Sequence, residues 1–260
     1  MKGTTMPSLA AVLAMIASSG LAAEAERPRV EPDGTVHVPA FDLPESVYLS
    51  EGSRAAMKYF RDVYGPEFGT FSRGCPNLFE VGDDPDAARA ARQCVADGYY
   101  ETSIYKDTRA KHPVEITAET IAGVYTEVFV PKDGVAAANK NRLLISIHGG
   151  GFTIGARYFS HTEAMQVAHM GGYKVISPDY RMAPEFTHPA GLEDAVAVYR
   201  AMLADYDAGS IGIYGCSAGA MLTAQTVAYL LRNDLPLPGG IGLFRAGIPM
   251  TEGAVPGVFK

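Results

Sequence analysis

The sequence has few cysteines, no run of basic residues and no internal repeat. Its 260 residues contain three cysteines, and 22 Lys and Arg stand against 29 Asp and Glu, which gives a formal net charge of −7. No run of basic residues occurs, so the composition argues against a nucleic-acid partner. No internal repeat is visible. The length and the 47% apolar content suit one large globular domain, or one domain with an appendage.

The apolar stretch near the N-terminus is too short to span a membrane. Leu9–Ala17 follows a segment whose positive charge is Lys2, and it precedes the A-x-A pattern of Ala23–Ala25. This arrangement predicts a secretory signal peptide cleaved after Ala25, and hence a periplasmic or secreted protein. A disordered Ala-rich terminus or a lipid anchor is the alternative. No cysteine lies near the cleavage site, which weighs against a lipoprotein.

An odd number of cysteines leaves one unpaired if the others form a disulfide. An exported chain can form disulfides, and Cys75 and Cys94 both lie in the N-terminal region. They either pair, which would add about 3 kcal/mol of stability, or remain thiols. We expect Cys216 to be a small buried residue rather than a reactive thiol.

Helical patterns dominate the first part of the chain after the predicted signal peptide. Residues 26–47 are proline-rich and predict an extended lead-in. Apolar residues at helical spacing then predict one helix from Ser50 to Gly65 and a second from Asp84, followed by a proline at its first position, to Gly98. We therefore divide the chain into a signal peptide at 1–25, a lead-in and helical cap region at 26–112, and a main domain at 113–260.

The main domain alternates between strand and helix patterns. Strands are predicted at Val114–Ile116, Val124–Val130, Leu143–Ile147, Val175–Ser177, Ile211–Tyr214 and within Gly240–Met250. Helices are predicted at His161–Met170, Leu192–Leu203 and Met221–Leu231. Nearly continuous apolar strands separated by helices predict an α/β fold with a mostly parallel sheet and right-handed crossovers. Ligands of such sheets bind at the carboxyl ends of the strands.

A glycine-flanked serine lies at one of these carboxyl ends. Gly215–Gly219, with the sequence Gly-Cys-Ser-Ala-Gly, stands between a strand and a helix, which is the context of a nucleophile elbow. The glycines relieve crowding, and Ser217 would be exposed at the positive end of a helix. Because the three fixed positions occur by chance in about one such chain in ten, the pentapeptide needs support from other segments.

A second carboxyl end carries a glycine loop, His148–Phe152, directly after the strand Leu143–Ile147. Acyl transfer to a serine builds negative charge on the carbonyl oxygen, and one backbone N–H donor stabilises that charge by ~2.7–4 kcal/mol. The alternative is a phosphate site, but the lysine of a P-loop and the G-x-G-x-x-G spacing are missing. The predicted site therefore comprises Ser217 as nucleophile, Gly149, Gly150 and Ala218 as oxyanion-hole donors, and His148, Gly151, Gly215 and Gly219 as supporting residues.

Three segments together carry a family resemblance. His148–Phe152, Asp179–Glu185 and Gly215–Gly219 resemble the motifs of hormone-sensitive-lipase-like carboxylesterases of the α/β-hydrolase fold. The resemblance covers about Val114–Met250. It implies an N-terminal helical cap over the active site, a small-molecule ester of short or medium acyl length as substrate, and no metal or organic cofactor. It says nothing about the oligomeric state.

The middle segment and two departures from the family pattern qualify this resemblance. Arg181 could pair with Glu185 or Asp194 to brace the loop before the next helix, which is a structural role. Cys216 stands where the family usually has Asp or Thr, and Ala220 where a further glycine is usual. Both departures leave the subgroup and the substrate preference open.

The sequence lacks a histidine after Ser217. In α/β-hydrolases the chain order is Ser, then Asp or Glu, then His, whereas here only Asp234 and Glu252 follow the serine as acids, and Asp234 comes too early to match the family's acid. The six histidines are His37, His112, His148, His161, His169 and His188. We therefore expect a C-terminally incomplete carboxylesterase chain that is itself inactive.

Four other hypotheses about the function of this chain stay open at this point. A histidine upstream of Ser217 could substitute as the base, or the chain could be a naturally short, non-catalytic relative. The plant gibberellin receptors resemble this family and bind a ligand without hydrolysing it, so a ligand-binding protein on the same fold is a further possibility. A peptidase or lactonase of the same fold is compatible with the elbow as well.

Overall fold

The computed structural model describes residues 28–40, 42, 44–67, 69–78, 80–81 and 84–246. The predicted signal peptide and Glu252 lie outside the described residues. The chain divides into two compact units, Met1–Arg54 and Ala55–Lys260. In the described part of the first unit, β1 (Arg29–Val30) and β2 (Val36–His37) form an antiparallel hairpin, so the proline-rich lead-in includes a short piece of sheet.

The first predicted helix is present with a modified last turn. Helix α1 (Glu51–Tyr59) continues as a π-helical turn, Phe60–Tyr64, and ends at Gly65. The Ser50 hydroxyl accepts a hydrogen bond from the Ser53 N–H at 3.1 Å, as expected of an N-cap.

Helix α2 (Pro85–Tyr100) starts where the sequence predicted and ends later. The Asp84 carboxylate accepts hydrogen bonds from the next two free backbone N–H groups, and Pro85 occupies the first helical position. The prediction that Gly98 ends this helix is wrong. A Cβ at Gly98 would lie 1.9 Å from the Phe71 carbonyl oxygen. Gly98 therefore lets the helix pack closely against the segment at Phe71, and it does not end the helix.

The α2 helix is anchored to the segment before it by a covalent bond. Cys75 and Cys94 form a disulfide, which confirms their pairing over the free-thiol alternative. The next helix, α3 (Ser103–Lys111), was not predicted. The Thr102 hydroxyl caps it by accepting a hydrogen bond from the Tyr105 N–H.

Among the described residues, the centre of the second unit is a sheet of six strands: β3 (Val114–Ile121), β4 (Val124–Pro131), β5 (Leu143–Ile147), β6 (Lys174–Pro178), β7 (Ile211–Cys216) and β8 (Gly240–Phe244). Their order across the sheet is β3-β4-β6-β5-β7-β8. The pairs β3–β4 and β4–β6 are antiparallel, and β6–β5, β5–β7 and β7–β8 are parallel. This confirms an α/β fold with a mostly parallel sheet.

Strand β3 is longer than the predicted Val114–Ile116. It pairs with β4 along its whole length, and its outer residues Ala118–Thr120 are exposed. Exposed residues at the outer strand of a sheet need not be apolar, which is why the apolar pattern stopped short of the true end.

Helices cover both faces of the sheet. Helix α4 (Phe159–Gly171) packs on one face, and α5 (Ala190–Met202) and α6 (Ala218–Arg232) pack on the other. Neighbouring residues alternate between the two cores: Val175 contacts the α4 side, and Ile176 contacts the α5–α6 side. Burial on both faces explains the unbroken apolar runs of these strands.

The topology brings the two predicted motifs together. Strands β5 and β7 are parallel neighbours, and Ile147 pairs with Gly215. The segments that follow these strands, at His148 and Ser217, therefore emerge at the same edge of the sheet. No helix in the described part of the chain is long and apolar enough to cross a membrane.

Candidate active site

Ser217 has the backbone geometry of a strained turn between strand and helix. Its φ of 54° and ψ of −121° are unusual for a residue with a side chain, and such conformations cost on the order of 1–3 kcal/mol. Its carbonyl accepts from the N–H groups of Ala220 and Met221 at 3.1 and 3.2 Å, which starts helix α6. The residue is exposed, so its hydroxyl is open to a substrate.

Two glycines allow this turn to form. A Cβ on Gly219 would lie 1.9 Å from the Ile147 carbonyl oxygen, and one on Gly215 would lie 2.4 Å from the Gly219 carbonyl. Both distances are far below van der Waals contact. Only glycine therefore lets helix α6 approach strand β5 this closely.

The glycine loop runs directly beside the serine. A Cβ at Gly149 would lie 2.8 Å from the Cys216 carbonyl oxygen and 3.4 Å from the Ser217 Cβ. Gly150 and Gly151 have φ of 115° and 63°, in the region that favours glycine. The loop then folds back, with the Gly150 carbonyl accepting from the Thr153 N–H at 3.1 Å.

The buried side chain of His148 contacts the backbone of this loop. It is fully buried, its Nδ1 lies 2.8 Å from the Gly149 carbonyl oxygen, and its ring stacks on Tyr180 with centroids 4.3 Å apart. The Tyr180 hydroxyl in turn donates to the His148 carbonyl at 3.0 Å. Burial lowers the pKa of His148, so the ring is held neutral as a structural element.

The backbone N–H groups around Ser217 differ in what they already bind. As the first residue of α6, Ala218 has no intrahelical acceptor for its N–H. Gly150 and Gly151 donate no backbone hydrogen bond within the described residues. The Gly149 N–H, in contrast, faces the Glu163 carboxyl group, where it acts to lower the pKa of that group. The four amides are therefore not equally free to bind an oxyanion.

Glu163 is an acid that the sequence reasoning missed. It lies on α4 beside the glycine loop, and its Oε2 is buried with no hydrogen-bond partner among the described residues. Burial raises its pKa to about 7 against the opposing effect of the Gly149 N–H. In the sequence, the signal that could have pointed to Glu163 is that it directly precedes Ala164, a buried residue of α4.

Glu163 also lines a cavity of about 220 Å³ together with Tyr214, Cys216 and Phe244. Burial raises the pKa of the Cys216 thiol, which disfavours the reactive thiolate. Within the described part of the chain, no group of three or more His, Cys, Asp or Glu side chains is arranged to hold a metal ion.

The described histidines are occupied elsewhere or exposed, and no side chain of the described residues hydrogen bonds to the Ser217 hydroxyl. The His161 Nε2 lies 2.8 Å from the Glu127 carboxylate and its Nδ1 lies 3.1 Å from the Tyr105 hydroxyl. The His112 and His169 Nδ1 atoms lie 3.3 Å apart. His188 is exposed.

A larger cavity of about 440 Å³ opens between the glycine loop and helices α5 and α6. Its walls are mostly apolar, and arginine, histidine and glutamine side chains stand among them. The lining includes Phe152 of the glycine loop, Phe186, Leu192, Met221 and Leu222, with Arg181, His188 and Gln225 as polar members. Met221 places this cavity one helical turn from the nucleophile position.

The Asp179–Glu185 segment is braced by ion pairs at Asp179, Arg181 and Glu185. Arg181 binds Asp194, as one of the two predicted pairings proposed, with its Nε 3.0 Å from the carboxylate. The other predicted pairing, Arg181 with Glu185, is wrong. Glu185 binds Arg92 of helix α2 at 2.6 Å, because the fold brings that helix over the loop.

Comparison with known proteins supports these observations. Residues 144–255 match a family model described as an alpha/beta hydrolase fold. An esterase named E25 has a crystal structure similar to this chain, with 25% identity, a TM-score of 0.60, and coverage of 79% of this chain and 59% of that one. An esterase from the bacterial hormone-sensitive lipase family has 25% identity, a TM-score of 0.55, and coverage of 70% and 56%.

A curated relative agrees with the structural matches. The carboxylic ester hydrolase LipN of Mycobacterium tuberculosis is 28% identical over 166 residues, which cover 62% of this chain and 42% of the relative. The chain spans less than half the length of each of the first curated relatives that it matches.

Proposed function

Because this chain has the α/β-hydrolase fold and is related to the hormone-sensitive-lipase-like esterases, we propose that it forms the nucleophile part of a serine carboxylester hydrolase. One observation carries the proposal. Ser217 is exposed at a strained turn, at the start of a helix and in contact with a glycine loop whose amides are partly free. This is the arrangement that acyl transfer to a serine requires.

In the proposed reaction, the Ser217 Oγ loses its proton to a base and attacks the ester carbonyl, forming a bond to its carbon as the π bond of the C=O group breaks. The carbonyl oxygen becomes an oxyanion, which the N–H groups of Gly150 and Ala218 stabilise. Gly149 stays a predicted donor, although its N–H also faces the Glu163 carboxyl group. Collapse of the intermediate breaks the bond between that carbon and the alcohol oxygen, and the alcohol leaves with the proton held by the base. Water then hydrolyses the acyl-enzyme to a carboxylic acid and free Ser217.

The apolar cavity beside Met221 suggests where the organic part of the ester binds. A volume of about 440 Å³ lies within the range of small-molecule sites. Its apolar walls favour short or medium acyl chains over charged groups. The names of the relatives, an esterase and a carboxylic ester hydrolase, agree with an ester as the substrate.

The base is the part of the mechanism that these 260 residues do not provide in our proposal. Ser217 has no histidine as a hydrogen-bond partner among the described residues, and no histidine follows it in the sequence. We propose that the histidine and its orienting acid are contributed from outside these residues. The chain alone should therefore hydrolyse p-nitrophenyl acetate no faster than its Ser217→Ala variant.

The nucleophile can be tested without turnover. A fluorophosphonate forms a phosphorus–oxygen bond to a serine oxygen and releases fluoride. At alkaline pH hydroxide can take the hydroxyl proton that the missing base would take, so on long incubation mass spectrometry should find the adduct on Ser217 and none in Ser217→Ala. His188→Gln should label at the same rate, because His188 is not the base. Absence of label on Ser217 would favour the second candidate, a ligand-binding relative, which the lack of a base beside the serine supports. Loss of label in His188→Gln would identify a relocated histidine.

A further inference from the structure

Arg92 of helix α2 makes four hydrogen bonds to segments that are distant in the sequence. Its Nε donates to the Thr153 carbonyl, its Nη2 donates to the Ala183 carbonyl, and both terminal nitrogens donate to the Glu185 carboxylate, all at 2.6 Å. Its side chain is only 16% exposed, and that of Glu185 is 9% exposed. A guanidinium has the fixed fork of donors that such a set of acceptors requires.

The contacts of Arg92 lead to the glycine loop in one step. Thr153, whose carbonyl Arg92 binds, donates its own N–H and its hydroxyl to the Gly150 carbonyl at 3.1 and 3.2 Å. The Ala183 N–H donates to the Phe152 carbonyl at 2.9 Å. Arg92 therefore fixes both sides of a short ladder between the glycine loop and the Asp179–Glu185 segment.

The orientation of the Gly150 carbonyl determines where the next amide points. In a trans peptide the C=O of one residue and the N–H of the next point in opposite directions. The Gly150 carbonyl is turned inward to Thr153, and this contact restrains the backbone of the residue whose own N–H is a proposed oxyanion donor. The Gly151 N–H, on the same peptide group as the Gly150 carbonyl, is turned away from Thr153. A loop that lost the Thr153 anchor could rotate these peptide groups, because Gly150 and Gly151 tolerate many backbone conformations.

We propose that Arg92 is a positioning residue that holds the glycine loop in the conformation in which its amides can bind an oxyanion. The ladder that carries it joins helix α2, the glycine loop and the Asp179–Glu185 segment. Its catalytic consequence rests on the proposed function, whereas its effect on the order of the loop does not. The same contact stabilises the ionised form of Glu185, since the hydrogen bonds from Arg92 lower the pKa of its carboxyl group.

The same helix offers a matched control. Arg89 lies three residues before Arg92, its side chain is 64% exposed, and its ion pair is with Asp86 of its own helix. Arg89→Met therefore removes an arginine from α2 without touching the loop. A double variant, Arg92→Met with Glu185→Met, replaces the buried charged pair by an apolar pair and leaves no unpaired charge. It still leaves the Thr153 and Ala183 carbonyls without their donor.

Hydrogen–deuterium exchange of the 260-residue chain tests the proposal directly. In Arg92→Met and in the double variant, amides of residues 149–155 should exchange at least tenfold faster than in the unsubstituted chain. Peptides from strand β5 should be unchanged, and Arg89→Met should leave both regions unchanged. Arg92→Lys should be intermediate, since its ammonium can neutralise Glu185 without reaching all three acceptors. Unchanged loop exchange in Arg92→Met, or an equal rise in the loop and in β5, would overturn the proposal.

Phosphonate labelling of Ser217 separates this inference from the proposed function. If both hold, the labelling rate constant falls at least tenfold in Arg92→Met and in the double variant, and not in Arg89→Met. If Ser217 reacts equally in all variants although the loop exchanges faster, Arg92 orders the loop without supporting the oxyanion, and the positioning role fails. If the unsubstituted chain does not react, the proposed function fails, and exchange alone still decides whether Arg92 holds the loop.

Discussion

The surroundings of Ser217 and those of the histidines are built in different ways. Around Ser217 the geometry comes from the backbone, through close approaches at Gly149, Gly215 and Gly219 that a Cβ would block. The buried histidines are held by side-chain contacts from remote segments, such as His161 between Glu127 and Tyr105. A nucleophile turn can therefore be complete within short local motifs, whereas a base depends on the fold bringing distant residues together.

The largest effect should come from blocking the backbone approach on the nucleophile side. In Gly219→Ala the new methyl would lie 1.9 Å from the Ile147 carbonyl oxygen, so α6 must move away from β5. We expect the free energy of unfolding, measured by urea titration, to fall by at least about 3 kcal/mol. Gly209→Ala is the control, because no atom lies within 4 Å of its added Cβ. Equal losses in the two variants would break the contrast drawn above.

An intermediate effect should come from Glu163, an acid beside the glycine loop whose Oε2 is buried. Burial raises the pKa of Glu163 from 4.5 to about 7, so between these values the folded state binds the proton more tightly than the unfolded state. Stability is therefore retained at low pH and lost as pH rises through this window, by up to about 3 kcal/mol.

The Glu163→Gln variant removes this titration without changing the shape of the side chain. It should resemble the unsubstituted chain at about pH 4.5 and be more stable than it at pH 8. Glu119→Gln, at an exposed position of β3, is the matched control and should follow the unsubstituted chain throughout. Parallel stability–pH curves for the chain and for Glu163→Gln would show that ionisation of Glu163 does not lower the stability of the folded state.

The smallest effect should come from relieving the strain at the nucleophile itself. Glycine adopts the φ of 54° found at Ser217 without steric conflict, so Ser217→Gly should raise the free energy of unfolding by about 1 kcal/mol. Ser210→Gly, at a residue without positive φ, should lower it instead. A loss of stability in Ser217→Gly would mean that contacts of the hydroxymethyl group outweigh the backbone strain.

The sequence was sufficient for the elements whose pattern is local. The strands before His148 and Ser217 are buried on both faces, and their apolar runs predicted them to within a few residues. Helix α3 was missed because Thr108 is its only buried residue, so it has almost no apolar stripe to recognise. The early end assigned to α2 came from treating Gly98 as a stop, when its role is close packing against Phe71.

The site shows the same limit in its side chains. The elbow and the glycine loop were recognised from contiguous residues, and the structure brings them side by side. The roles of Glu163 and Arg92 were not predicted, because both depend on tertiary contacts. Arg92 and its partner Glu185, for example, are 93 positions apart in the chain. One of the two pairings considered for Arg181 was with Glu185, its neighbour in the motif. A short spacing suggested that pair, and only the tertiary fold could show that a remote arginine takes its place.

The Cys75–Cys94 disulfide has a practical consequence for anyone preparing this protein. Cys94 lies on α2 only two positions after Arg92, so the covalent tie and the guanidinium restrain the same part of the helix. Material purified with a reductant and material purified without it are then two chemically distinct samples. Thiol counting with a chromogenic disulfide reagent before each measurement tells them apart, and results from the two should not be pooled.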